Sequence, residues 1–110
     1  MSDAPARPHP PEFIALCRHA AELLDSVPGL PLTERGERLR QAHAAVEQID
    51  RRLKELDLDR GDPHFSEEQG DLIAVASALQ ALELDRGGPN VRRYVDRAIT
   101  AIRHVAGEGG

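Results

Sequence analysis

Apolar residues recur at helical spacing along most of this chain, and the breaks between periodic stretches are short. Phe13, Leu16, Cys17, Ala20, Leu24 and Val27 share one face of a helix predicted over 11–27. Pro11 suits its first turn, where a missing N–H costs nothing, and Glu12 beside it is favourable there. Pro28, Gly29 and Pro31 stop it. A second helix is predicted over 33–57, with Thr33 as N-cap and Glu34 in the first turn. Its apolar positions, Leu39, Ala42, Val46, Ile49, Leu53 and Leu56, alternate three and four residues apart, an a/d seam of nearly three heptads. Leu72, Val75, Leu79 and Leu82 keep the same rhythm in a third helix over 66–86, flanked by Ala74, Ala78 and Ala81. SEEQ at 66–69 reads as its capping box, Ser66 capping and Gln69 reciprocating. Gly87, Gly88 and Pro89 end it, and Asn90 caps a fourth helix over 90–106, whose seam is Val91, Val95, Ala98, Ile102 and Val105.

Short breaks favour antiparallel neighbours, so the expected fold is all-α, an up-down-up-down four-helix bundle forming one domain over 11–107. Residues 1–10, with Pro5, Pro8 and Pro10, read as a flexible Pro-rich tail, and 108–110 as a frayed end. PARP at 5–8 has the spacing of a Pro-rich recognition ligand, but four residues say little beyond a disordered leader.

Composition sharpens this picture. With two Phe, one Tyr and no Trp in 110 residues, the core has to come from Leu, Ile, Val and Ala, packed closely rather than around large rings. The net charge of −5 argues against a general affinity for phosphate backbones or anionic lipid. No apolar run approaches the ~20 residues of a membrane span, and MSDAPARPHPP lacks a signal-peptide core. A single cysteine, Cys17, forms no internal disulfide, so a cytoplasmic location is expected. All basic residues but Lys54 are arginine, a usage that fits GC-rich bacterial coding.

One loop invites a chemical reading. DLDRGDPHFSEE at 57–68 places Asp57, Asp59 and Glu68 where an EF-hand holds its first, third and twelfth ligands. Gly61 at the fifth place offers no side-chain oxygen, Asp62 replaces the turn glycine, and His64 replaces an aliphatic residue. The capping box gives Ser66, Glu67 and Glu68 a local purpose without metal, so calcium is a secondary expectation. No other metal set is expected. His19, His43 and His104 fall one to a helix, and none has a ligand partner at the offsets that zinc helices or di-iron bundles use. Cys17 reads as a small core residue rather than a nucleophile. No cofactor is expected.

IDRRLKELDLDR at 49–60 resembles, over about a dozen residues, the first long helix of chorismate mutase, whose basic residues grip a dicarboxylate. The resemblance implies an all-helical enzyme, but it extends no further along the chain. The seam of helix two also carries no inward base, and a pocket for two carboxylates needs several.

Two function classes remain. The first is a small non-catalytic protein–protein interaction module (an adaptor, an assembly subunit or a regulator), its expected partner being another protein or a second copy as a homodimer. So regular a seam on helix two serves either an internal neighbour or another chain, and Arg38 and Arg52 on one side, with Asp50 and Asp57 on the other, would orient the partner. Replacing Val46 and Ile49 together with aspartate should unfold the domain or dissociate an oligomer. The second class is a nucleic-acid-associated regulator presenting Arg92, Arg93, Arg97 and Arg103 of helix four. These arginines would instead pair with Glu67, Asp71 and Glu83 if the antiparallel third and fourth helices matched their opposite charges. Which way they face separates the two.

Overall fold

The computed structural model describes residues 9–60 and 65–107, with the side chains of 57–60 and 65–67 outside the description. Four helices make up the fold: α1 (Pro11–Ser26), α2 (Leu32–Arg60), α3 (Phe65–Leu84) and α4 (Val91–Val105), with a 3₁₀ turn at Val27–Gly29 after α1. Each helix packs on two neighbours in the cyclic order α1–α2–α3–α4–α1, α3 with α4 most extensively and α2 with α3 most sparsely. Cross-links at both ends fix the directions. Arg52 reaches Glu12 at one end of the α1–α2 pair, and Arg38 donates to Ser26 at the other. Gln69 donates to Asp50 between α2 and α3, and Arg86 lies over Gly36 at the far end. His104 meets Asp71 between α4 and α3, and Arg92 meets Asp25 between α4 and α1. Consecutive helices are therefore antiparallel, the up-down-up-down bundle that the short breaks imply.

Helix ends depart from expectation for local reasons. Pro28 has no N–H to continue α1, so the chain tightens into a 3₁₀ turn from Val27, with Leu30 donating to the Val27 carbonyl at 3.1 Å. The expected end at 27 is one residue late. Thr33 is not the N-cap of α2. The helix starts at Leu32, and Glu34 N–H is satisfied by the Pro31 carbonyl at 2.9 Å. Ser66 likewise lies on helical backbone, since α3 starts at Phe65, and α3 ends at Leu84 instead of 86. Asn90 does hold the N-cap position of α4, but its side chain makes no capping bond there. Gly107 closes α4 in the left-handed region at φ 83°, where a Cβ would be strained. Of the expected tail at 1–10, residues 1–8 lie outside the described residues, as do the Ser66 side chain and residues 108–110, whereas His9 packs against the bundle because its ring bonds Glu68 and lies on Phe13.

The core is the one the periodicity outlines. Every residue of the seams named above is buried except Leu16, which is half-buried at the edge of the cluster. Phe13 is the large ring inside it, and at roughly 1.5–3 kcal/mol per buried Leu, Ile or Phe side chain the seams supply the main driving force. At one end of the bundle a single side chain ties two connections together. Arg35 donates from Nε to the Leu30 carbonyl at 3.0 Å, from Nη2 to the Pro28 carbonyl at 2.9 Å and from Nη1 to the Arg86 carbonyl at 2.6 Å. It thus fastens the α1–α2 turn to the end of α3.

The opposite end is closed by a buried ion-pairing couple. His9 Nε2 donates to Glu68 Oε2 at 2.6 Å, with side chains only 8% and 11% exposed, and the His9 ring lies 4.5 Å from that of Phe13. Glu68 is the one charged residue that is buried among those described, and neither its Oε1 nor His9 Nδ1 has a partner. Removing one member strands the other in an apolar setting, at a cost of about 1–3 kcal/mol. His9→Ala is expected to lower the unfolding free energy by that amount, and hydrogen exchange should place the loosening in the first turns of α1 and α3. Protection unchanged in both turns would show the couple to be energetically idle.

Candidate functional site

The side chains singled out by sequence fall into three places. Leu39, Ala42, Val46, Ile49, Leu53 and Leu56 all face the interior, between 0% and 7% exposed, so the a/d seam is covered by this chain's own helices. The charges flanking that seam are used the same way. Arg38 and Arg52 turn to α1, where Arg52 bonds Glu12 at 2.5 Å as well as Glu55 at 3.0 Å, while Asp50 accepts from Gln69 and pairs with Lys54 at 3.0 Å. Glu55 first, then Glu12, hold the Arg52 proton more firmly than usual. A raised guanidinium pKa stabilises the fold at every pH below it, so this contact brings no pH dependence near neutrality. The described basic side chains of IDRRLKELDLDR therefore line no interior pocket: Arg51 and Lys54 are exposed, and Arg52 is bound to α1, while the Arg60 side chain lies outside the description.

The twelve-residue loop that an EF-hand requires is not formed. α2 runs through Arg60 and α3 begins at Phe65, so Asp57 and Asp59 stand on helical backbone, their side chains outside the description. Glu68, the expected twelfth ligand, points inward and is engaged by His9. Among the described residues no three His, Cys, Asp or Glu side chains converge on a point where an ion could sit.

The arginines of α4 divide between two flanks, and all four are exposed. Arg92 faces α1, pairing with Asp25 at 3.3 Å and with Asp96 in its own helix at 3.2 Å, and Arg103 lies beside Arg18 on the same flank. Arg93 and Arg97 point to solvent on the α3 flank, where Asp71 is held by His104 at 2.5 Å. Among the described residues no arginine of α4 pairs with an acid of α3. The expected matching of opposite helix charges thus reduces to one histidine contact.

A surface that sequence reading did not single out lies on α3. Its outer side carries Ile73, Ala76 and Leu84 among Gly70, Ser77, Gln80 and Glu83. No charged residue occurs between Asp71 and Glu83, and Ile73 and Leu84 stand 67% and 82% exposed. Beside this outer side, between α2 and α3, runs a groove with Val46, Leu72, Ala76 and Leu79 in its walls and Ile73 at its lip. The signal was present in the sequence: eleven consecutive uncharged residues, 72–82, in a chain that is 30% charged.

No family model matches the chain, and no curated protein or solved structure matches it either.

Proposed function

We propose that this chain is a small non-catalytic helical interaction module, an adaptor, assembly subunit or regulator that binds protein through the outer face of α3. The observation that carries this reading is the pair of large apolar side chains, Ile73 and Leu84, standing in solvent on a helix with no charge between Asp71 and Glu83. Isolated exposed hydrophobes are ordinary on a surface. Two on one helical stripe with no charge between them, one of them at the lip of a groove with Val46, Leu72, Ala76 and Leu79 in its walls, support an interaction site there. The non-catalytic part of the reading rests on where the polar groups go: the described acids, bases and histidines spread over the surface, apart from Glu68 and His9, whose sheltered side chains bond each other. Cys17, buried in the core, agrees with a reducing cytoplasm, and no described helix is long and apolar enough to cross a membrane.

The test is a comparison of tagged wild-type chain with an Ile73→Glu, Leu84→Glu variant in the native host. Both positions are exposed, so the variant should keep its fold. Proteins copurifying with the wild type and lost from the variant are the expected result. An identical set from both would remove the reading.

A second reading keeps a specific observation in its favour: Arg93 and Arg97 are exposed and hold no ion pair among the described residues. A nucleic-acid-associated regulator would use them, and a salt-sensitive mobility shift with duplex DNA, weakened by Arg93→Ala with Arg97→Ala, would support it. The division of the arginines between two flanks, and the net charge of −5, weigh for the first reading.

A further inference from the structure

The geometry points to a second copy of this chain as the occupant of the α3 face, paired with it antiparallel across a twofold axis. The inference rests on the interaction reading above and adds the partner's identity and orientation. The exposed residues of α3 among those described are Gly70, Ile73, Ala76, Ser77, Gln80, Glu83 and Leu84, and five of them, Gly70, Ile73, Ser77, Gln80 and Leu84, are spaced three, four, three and four apart. That is the heptad rhythm of a helix-pairing seam, running on the side opposite the inner seam of Leu72, Val75, Leu79 and Leu82. Ala74, Ala76 and Ala81 flank it, small enough to let two helix axes approach to about 8 Å.

The stripe is symmetric about its middle. Ile73 and Leu84 lie eleven positions apart, about 16.5 Å along the axis, and Ser77 and Gln80 sit equally far from the midpoint between them. A twofold interface is self-complementary: what residue i does to j, j does to i. With the axis through that midpoint, Ile73 covers Leu84 of the second copy, Leu84 covers its Ile73, and the neutral pair Ser77 and Gln80 meet each other twice. Both large apolar side chains are covered, and Glu83, exposed beside Leu84, stays at the α2 edge with Arg40 and Arg86.

Charge along the neighbouring edge selects the same arrangement. The contacts of Gln69 with Asp50 at 3.2 Å and of Arg86 over Gly36 set the register of α2 on α3, and put the midpoint of the stripe close to the level of His43. Arg40 and Glu47, both exposed and each contacting a neighbour within α2 (Glu37 and His43), stand on either side of that level. An antiparallel second copy, leaning toward the sparse α2–α3 groove, brings Arg40 of each chain to Glu47 of the other. The lean also keeps the two Arg97 side chains apart. A parallel pair, with its axis along α3, would instead stack Ile73 on Ile73 and turn Arg40 toward Arg93 of the other chain.

Light scattering on the full chain over a concentration series, together with cysteine trapping, tests this. The expected mass at high concentration is twice that of the 12.0 kDa chain, and Ile73→Glu should return it to one chain with the thermal melt of dilute protein unchanged. For orientation, Ser77→Cys mixed with Gln80→Cys, and Ile73→Cys mixed with Leu84→Cys, should link on mild oxidation. Ile73→Cys alone should link poorly, and the wild type, whose Cys17 is buried, not at all. A single-chain mass at the highest soluble concentration would overturn the inference, as would Ile73→Cys linking to itself faster than to Leu84→Cys. The two levels of argument fail separately. A monomer that still loses its copurifying proteins on Ile73→Glu, Leu84→Glu substitution overturns the second copy and leaves the interaction reading standing; a monomer indifferent to those substitutions removes both.

Discussion

Replacing Val46 and Ile49 together with aspartate is expected to unfold this chain rather than to separate it from a partner. Both side chains lie within the four-helix core, Ile49 fully buried and Val46 nearly so. The change forfeits roughly 1.5–3 kcal/mol of apolar transfer at each position and adds a penalty of several kcal/mol for each carboxylate taken out of water without a cation. The sum is comparable with the whole stability of an ordinary domain, about 5–15 kcal/mol. Among the described residues no lysine or arginine is buried to rescue them, since Arg38 and Arg52 are committed to α1 on the outside of the seam. Circular dichroism should show most helicity lost at room temperature. A variant with native helicity and an unshifted melt would mean that the seam of α2 is not internal.

Arg35→Ala is the substitution outside the core with the largest expected effect. Three carbonyls, those of Pro28, Leu30 and Arg86, depend on one guanidinium, and two of the three bonds are partly buried. Hydrogen bonds to charged groups contribute about 1.5–3 kcal/mol each when well sheltered. With one of the three at the surface, a loss of about 2–4 kcal/mol is expected. For a domain near 100 residues this corresponds to a fall in melting temperature of roughly 10–20 °C. Arg35→Lys should recover little of it, because an ammonium on a flexible stem cannot span three acceptors in the planar fork that the guanidinium provides. A melt for Arg35→Ala within two or three degrees (about 0.5 kcal/mol) of wild type would show that water replaces the staple without cost.

Helical identity and the core face were legible from spacing because both follow from local periodicity. The three-four rhythm of Leu39 to Leu56 names the buried side of α2 whatever covers it. Helix ends were legible only to within a few residues. Thr33 and Ser66 have the right chemistry for capping, yet the backbone carbonyl of Pro31 and the earlier start at Phe65 displaced them from the cap positions. The acidic loop misled for a related reason. Asp57, Asp59 and Glu68 have loop-ligand spacing only if the chain between them is a loop, and here helix propagation through Arg60 outran that pattern.

What the sequence determined by itself is four amphipathic helical segments and the side of each that shuns water, since both depend on neighbours within a few positions. Tertiary structure decided which charges meet. It matched Arg92 with Asp25 across 67 positions, sent the other arginines of α4 to solvent, joined His9 to Glu68 and gave Arg35 its three carbonyls. It also decided that the inner seam of α3 would be covered while Ile73 and Leu84 stayed bare. Long-range pairings such as these depend on how rods are stacked and turned about their axes, and spacing along one rod carries no record of the rotation its neighbours will select.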